Sequence, residues 1–280
     1  MALAPDALIL PTYDDVESIP SETEPWRDVY DFENSIEIRG VPSPLEYTDT
    51  GIGLVPTGIT KTASCTTMTA LLASERVDLT DTLLLTVGVA GAPPRLPIGS
   101  VVISETIVDW DDKCRVGPDA EEIPLLVNPY STGEGVYELD AELVERASAL
   151  AANVELPQQP EDGSAVSTPP VVRTGTNVSA DEFWHGEALA QQVEWLVDQY
   201  GASPYCVTEV EDAGTATALE RFDRLDQYLS IRGVSNYDRP TTERTPRENV
   251  FTGEFEAGFT AGLENAIAVA RPVIEEWLSE

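Results

Sequence analysis

Apolar runs of strand length alternate with apolar stripes at helical spacing along most of this chain. The runs fall at 7–10, 52–55, 82–89, 101–108, 171–174, 205–210 and 227–234, and turn residues such as Pro97-Ile98-Gly99-Ser100 bound them. Leu189, Val193, Leu196 and Tyr200 form a stripe over 187–200. Phe259, Leu263, Ile267, Ala270 and Ile274 form another over 255–278. Further helices are predicted over 61–76, over 212–224 between two strands, and from Asp140 as N-cap through 151. The stretches 111–138 and 157–170 are polar and turn-rich and read as surface excursions. The order predicts an α/β fold, a three-layer sandwich whose central mixed β-sheet is flanked by helices, in one domain over 1–280.

With 280 residues and 42% hydrophobic positions, the chain can bury one sizeable core. Charge adds more to the picture. Fifty acidic residues stand against 16 basic ones, a net charge of −34, and only Lys61 and Lys113 are lysines. The acids run along the whole chain, so they read as a solvated anionic surface rather than an interaction tail. At molar salt the Debye length falls to roughly 3 Å and the self-repulsion is screened. The balance reads as the mark of a halophile, a statement about habitat more than function. It argues against nucleic acid or an anionic membrane as a partner. Cys65, Cys114 and Cys206 are few and widely spaced, as expected of thiols in a reducing cytoplasm. There is no leader-like N-terminal pattern, and no apolar run approaches the roughly 18–20 residues that cross a bilayer. A soluble, cytoplasmic protein is expected.

Candidate chemistry gathers between Cys206 and Pro240. A predicted strand ends in Glu209-Val210-Glu211-Asp212, a helix follows, and the next strand ends in Ser235-Asn236. Groups at the carboxyl ends of neighbouring strands in an α/β sheet converge on one crevice. Glu209 and Glu211 share a face, and a carboxylate there can accept bonds from two vicinal sugar hydroxyls and favour an oxocarbenium-like transition state. Asp212 is placed as a first-turn helix acid. Asn236 offers a donor and an acceptor to a heterocycle, and Asp238 lies two residues on as an alternative acid. Gly88-Val89-Ala90-Gly91 is placed where a strand ends, either a tight turn or a close-approach site for an anion. It is followed by no Gly-Lys-Ser/Thr and lacks the dinucleotide glycines. His185 is the only histidine, so no His-based metal site is expected. No Gly-x-Ser-x-Gly elbow is present.

Taken in order, several segments resemble the nucleoside phosphorylase and nucleosidase superfamily. They are Gly58-Ile59-Thr60-Lys61, Val87-Gly88-Val89-Ala90-Gly91, Thr176-Asn177-Val178-Ser179-Ala180-Asp181, Glu209-Val210-Glu211-Asp212-Ala213-Gly214 and Arg232-Gly233-Val234-Ser235-Asn236. Gly91-Ala92-Pro93-Pro94, Asp181-Glu182-Phe183-Trp184-His185-Gly186 and Asn236-Tyr237-Asp238-Arg239-Pro240 resemble its purine nucleoside permease branch. The resemblance implies a homo-oligomer that cleaves the bond between ribose and a nucleobase, with no cofactor beyond phosphate as co-substrate. It implies Glu211 on the ribose 2′ and 3′ hydroxyls, Val210 against the sugar, and Asn236 on the purine. An Asn there implies guanosine or inosine. Val178 falls near the base-stacking position, with Phe183 or Trp184 as compensating aromatics, and Gly91 and His185 are placed around the substrate. Arg247 or Arg244 is placed to assist the base-contacting residue.

The phosphate side departs from the pattern. Thr86 and Val89 stand where phosphate-using members carry an Arg and a Ser, and the first strand leads to Tyr13-Asp14-Asp15. Asp15 falls where hydrolytic members keep a catalytic Glu. Arg39, Lys61 and Gly88, or an Arg of a neighbouring copy, are the remaining candidates for a phosphate or water site. The expected activity is that of a pentosyltransferase, a purine nucleoside phosphorylase giving base and ribose 1-phosphate. The alternatives are a nucleosidase using Asp15 and a nucleoside-binding protein linked to uptake.

Overall fold

The apolar run at 83–92 forms the spine of a mixed sheet. The structure is a computed structural model that describes residues 2–14, 16, 19–117, 123–131, 135–157, 168–250 and 253–279. The first half of the chain gives β1 (Ala7–Ile9), α1 (Glu24–Val29), β2 (Asn34–Ile36), β3 (Leu45–Tyr47), β4 (Ile52–Leu54), α2 (Lys61–Leu72), β5 (Leu83–Ala92), β6 (Val101–Asp109), β7 (Lys113–Arg115) and β8 (Leu125–Val127). The second gives β9 (Val136–Glu138), α3 (Ala141–Ala151), β10 (Val172–Ser179), α4 (Glu187–Gln199), β11 (Tyr205–Glu209), α5 (Asp212–Arg221), β12 (Tyr228–Tyr237), α6 (Pro246–Asn249) and α7 (Gly253–Trp277).

The main sheet runs β11-β10-β6-β12-β5-β1-β4-β3-β2, with β9 on β6. β5 is parallel to β1 and β12, whereas β6 is antiparallel to β12 and parallel to β10. A single antiparallel bridge, Thr208 to Gly91, joins β11 back to β5. The strands β5, β12, β6, β10 and β11 therefore close into a ring. Ala90, Ala92, Val102, Val207 and Val234 form a small apolar cluster among these strands. The main core lies between the sheet and α2, α3, α5 and α7, and a second core of Val108, Trp110, Val178, Trp184, Val193 and Tyr205 lies beneath α4. Strands covered on both faces read as continuous apolar runs, which is why β1, β4 and β5 were visible as such. The α/β architecture, a central mixed sheet with flanking helices, is the one expected.

Three local expectations need correction. Gly88-Val89-Ala90-Gly91 is no turn, because β5 continues to Ala92 with β12 paired along it. The stub at 171–174 is the start of an eight-residue strand, β10, paired on both sides. The excursion after Asp109 contains the β7–β8 hairpin and β9. The cap at Asp140 is as expected, its Oδ1 accepting from Leu143 N at 2.8 Å. The expected loop at 157–170 lies for the most part outside the described residues.

Candidate functional site

Arg232 is a charged residue in the middle of an apolar strand, and it is buried. A guanidinium removed from water requires counter-charges and filled donors. Its Nε bonds Asp212 Oδ2 at 3.0 Å, its Nη2 bonds Asp212 Oδ1 and Glu209 Oε2, the latter at 3.2 Å, and its Nη1 lies 3.7 Å from Glu211 Oε2. These partners come from β11 and from the first turn of α5, across the ring from β12.

The acids around Arg232 are not equivalent. Glu209 Oε2 also accepts the backbone N–H groups of Glu211 at 2.6 Å and Asp212 at 2.9 Å. Asn177 Nδ2 bridges Glu209 Oε1 and Asp212 Oδ2 at 3.1 and 2.8 Å, and Ser230 donates to Asp212 Oδ2 at 2.5 Å. Glu209 and Asp212 are thus filled by donors, but only Asp212 is a fixed counter-charge, because burial and then Asp212 push the Glu209 carboxyl up to about 7 against Arg232. Among the described residues Glu211 accepts one hydrogen bond, from Thr60 N at 3.3 Å. Its carboxyl therefore keeps acceptor sites that these residues do not fill.

A fourth carboxyl completes the group. Glu22, just ahead of α1, is buried and accepts from Thr12 N at 2.8 Å and Val89 N at 3.3 Å. A Cβ at Gly88 would stand 2.7 Å from Glu22 Oε1 and 2.8 Å from Arg232 Nη1. Only a glycine at this point of β5 lets these groups approach the strand so closely. Burial pushes the Glu22 carboxyl up from its ordinary value, with Arg232 and the two backbone N–H groups opposing. Glu211 is pushed well up by burial, by Glu209 and by Glu22, against Arg232. At Asp212 burial is overcome by Arg232 and Ser230, and the carboxyl is held down. Tyr13 is half-buried near the same acids: burial, then Glu22 and Glu211, raise its phenol, which donates to Pro20 O at 3.0 Å.

Asn236 lies further along. It pairs with Gly91 in the β12–β5 register, and the side-chain Nδ2 sits 3.2 Å from where a Gly91 Cβ would be. Ser235 donates to its Oδ1 at 2.9 Å, and its Nδ2 donates to Tyr237 O at 3.1 Å. Three residues of β5 separate the Gly88 and Gly91 levels, about 10 Å at ~3.3 Å per residue.

Several expected residues sit differently. Asp238 is buried, takes a bond from the Tyr205 hydroxyl and pairs with Arg239 Nε at 2.7 Å, so its carboxylate is already occupied. Arg239 is thus the arginine on the acid at the end of β12, and it reaches on to Glu187 and Glu194 at 3.2 and 2.9 Å. Arg244 and Arg247 are exposed, Arg247 on α6. Val178 is buried in the core beneath α4, and Trp184 packs against Trp110 there at 6.5 Å. Phe183 is exposed. His185 is half-buried and meets Asn249 Nδ2 at 3.3 Å; burial lowers its pKa against Asp238. Val210 is half-buried beside Glu211.

On the phosphate side, Lys61 is taken up by Asp109 at 2.7 Å and Asp111 at 3.0 Å. Arg39 is exposed in the turn after β2. Asp15 lies outside the described residues. Glu22 and Arg232 were not singled out as candidates. Glu22 sits in the polar stretch Ser21-Glu22-Thr23-Glu24, where an acid draws no attention. Arg232 did carry a signal, as the lone charge within Leu229-Ser230-Ile231-Arg232-Gly233-Val234.

The fold is shared with solved nucleosidases. A futalosine hydrolase of Helicobacter pylori superposes with a TM-score of 0.65 at 19% identity, covering 97% of this chain and 98% of the other. A 5′-methylthioadenosine/S-adenosylhomocysteine nucleosidase of Neisseria meningitidis, in complex with methylthio-immucillin-A, gives 0.65 at 17% identity, covering 98% and 99%. More specifically, the chain belongs to the purine nucleoside permease family, whose profile matches residues 4–280. A purine nucleoside permease of Candida albicans is 26% identical over 91% of this chain and 72% of its own length. Among the described residues no helix is long and apolar enough to cross a membrane.

Proposed function

We propose that this protein cleaves the N-glycosidic bond of a purine nucleoside by hydrolysis. The observation that carries the reading is the buried group of Glu22, Glu211 and Arg232 packed against Gly88. Four carboxylates surround one guanidinium there, and the nearby Lys61 is already paired. Such a pocket repels a phosphate dianion and suits water and a sugar that becomes cationic. This is why hydrolysis displaces phosphorolysis as the favoured chemistry, and why Glu22 takes the role first assigned to Asp15. The solved nucleosidases of the same fold support the reaction class.

The ligand lies along β5. Its ribose hydroxyls donate to Glu211 and its purine meets Asn236, a spacing of about 10 Å consistent with the three-residue step between Gly88 and Gly91. Ionised Glu22 takes a proton from water, and the water oxygen bonds to C1′. The C1′–N9 bond breaks, its electron pair goes to the purine, and solvent returns the proton that the base needs. Asn236 stabilises that departing charge through its N–H, since an amide cannot deliver a proton. The carboxylates stabilise the oxocarbenium-like sugar. Asn236 favours guanosine or inosine, whose 6-oxo group accepts a hydrogen bond.

A panel of purine nucleosides with and without phosphate tests this. Free ribose and a rate indifferent to phosphate are expected. Phosphate-dependent release of ribose 1-phosphate would install phosphorolysis instead, and tight binding without turnover would favour a role in uptake. Glu22→Gln should lower base release by about 10²–10⁴-fold with the fold intact by circular dichroism.

A further inference from the structure

Thr60 has φ 88° and ψ 150°, a backbone conformation that glycine accepts and a β-branched residue does not. Such an outlier persists only where its surroundings over-determine it. Here they do. Asp181 accepts from Thr62 N at 2.9 Å and from the Thr62 hydroxyl at 2.5 Å, and the nearby Thr60 hydroxyl helps to hold its carboxyl down. Ser64 N donates to Thr60 O at 3.0 Å, and the Ser64 hydroxyl donates to Glu211 O at 2.7 Å. A Cβ at Gly214 would come within 2.0 Å of Lys61 O, so the first turns of α2 and α5 are pressed together. The product of this arrangement is one contact: the Thr60 N–H on Glu211 Oε1, the one hydrogen bond that carboxyl receives among the described residues.

We infer that Thr60 is a positioning residue, held in an unfavourable backbone conformation by Asp181 so that its N–H fixes the Glu211 carboxylate for the vicinal hydroxyls of a ribose. The inference rests on the reading of Glu211 as the sugar ligand. It goes further in making discrimination between ribose and 2′-deoxyribose depend on a residue that does not touch the sugar. Among the described residues Glu211 has no other hydrogen-bond donor to restore its direction if Thr60 relaxes. Arg232 Nη1, at 3.7 Å, is beyond hydrogen-bond reach.

Thr60→Gly keeps the N–H, removes the side chain beside Asp181 and lets the backbone wander. It should lower the ratio of kcat/KM for guanosine over 2′-deoxyguanosine by about fivefold to tenfold, chiefly through KM, as expected for one lost hydrogen bond. Thr60→Ser keeps the hydroxyl and should keep the wild-type ratio. A residue that served only the fold would lower both substrates alike, so an unchanged ratio in Thr60→Gly overturns the assignment. A second readout needs no turnover: in Thr60→Gly the Glu211 carboxyl, followed by carbon NMR, should titrate at higher pH than in the wild type. A wild type that releases no base would sink the cleavage reading alone. The titration then decides for or against Thr60, an unmoved Glu211 counting against it.

Discussion

Arg27 and Arg232 each hold three carboxylates, and only one of these two clusters is dry. Arg27 pairs with Asp14 at 2.7 Å, Glu24 at 2.8 Å and Glu46 at 2.6 Å, with side-chain exposures of 26% for the arginine and 26–66% for the acids. Arg232 holds Glu209, Glu211 and Asp212, with exposures of 2% and 0–6%. The count of charges is the same and the chemistry is opposite. At the exposed cluster, the Arg27 hydrogen bond holds Asp14 below its ordinary carboxylate value despite some burial. At the dry cluster, burial drives Glu211 and the adjoining Glu22 upward in spite of Arg232. Taking ions out of water costs more than a shared guanidinium returns. Burial, not pairing, turns an ordinary salt-bridge cluster into groups that can accept protons and bind hydroxyls near neutral pH.

The sharpest break of that contrast is Arg232→Met. It leaves Asp212 as a buried charge, with the donors of Asp212 and Glu209 reduced, and removal of one partner of a buried ion pair costs about 3–5 kcal/mol. Urea denaturation should show a loss of that order, with base release abolished. Arg232→Lys should recover little, because one ammonium cannot replace the two-point grip of Nε and Nη2 on Asp212.

The next effect is in pH, and the raised acids of the dry cluster, Glu22 and Glu211, should respond with the opposite sign to Asp14. A carboxyl raised in the folded state binds its proton more tightly there than in the unfolded chain. Glu22 and Glu211 therefore contribute stability that is fully present below their ordinary value of 4.5 and is lost as pH rises through their folded values. Asp14 is depressed, so its contribution is present above 3.8 and lost as pH falls through its folded value. Activity runs against stability at the dry cluster, since Glu22 must be ionised to take a proton from water. The acid limb of kcat/KM should lie above the ordinary carboxylate range and vanish in the residual activity of Glu22→Gln. The same variant should flatten the fall of Tm with rising pH.

The legible part of this molecule is the part that water sorts. The strands expected at 7–10, 52–55 and 82–89, the Asp140 cap and the stripe on α4 follow from burial and local hydrogen bonding. The three-residue strands β2, β3, β7, β8 and β9 were not legible, because their half-exposed or exposed residues carry little apolar pattern. At the site, Glu211 and Asn236 were found from short segments, but their surroundings were not. Gly88 and Gly91 looked like a turn because small residues mark turns and close approaches equally. The partners of Gly88 are Glu22, 66 residues earlier, and Arg232, 144 residues later, and only the closed ring of strands brings them together. Asp238 was credited with chemistry that its bonds to Tyr205 and Arg239 already consume.

The smallest expected effect falls at the exposed cluster. Arg27 fastens α1 to Glu46 of β3 and to Asp14, and so braces the segment between Asp14 and Arg27 in which Glu22 lies. Exposed pairs of this kind contribute about 0–1 kcal/mol. Arg27→Met should therefore cost no more than about 1 kcal/mol in urea denaturation, and 1 M salt should remove most of the difference from wild type. The Arg232 cluster, sealed from solvent, should be far less sensitive to the same salt. Base release by Arg27→Met should drop only slightly, since Glu22 keeps the backbone N–H groups of Thr12 and Val89. A loss as large as that of Arg232→Met, or one indifferent to salt, would show that burial is not what separates the two clusters.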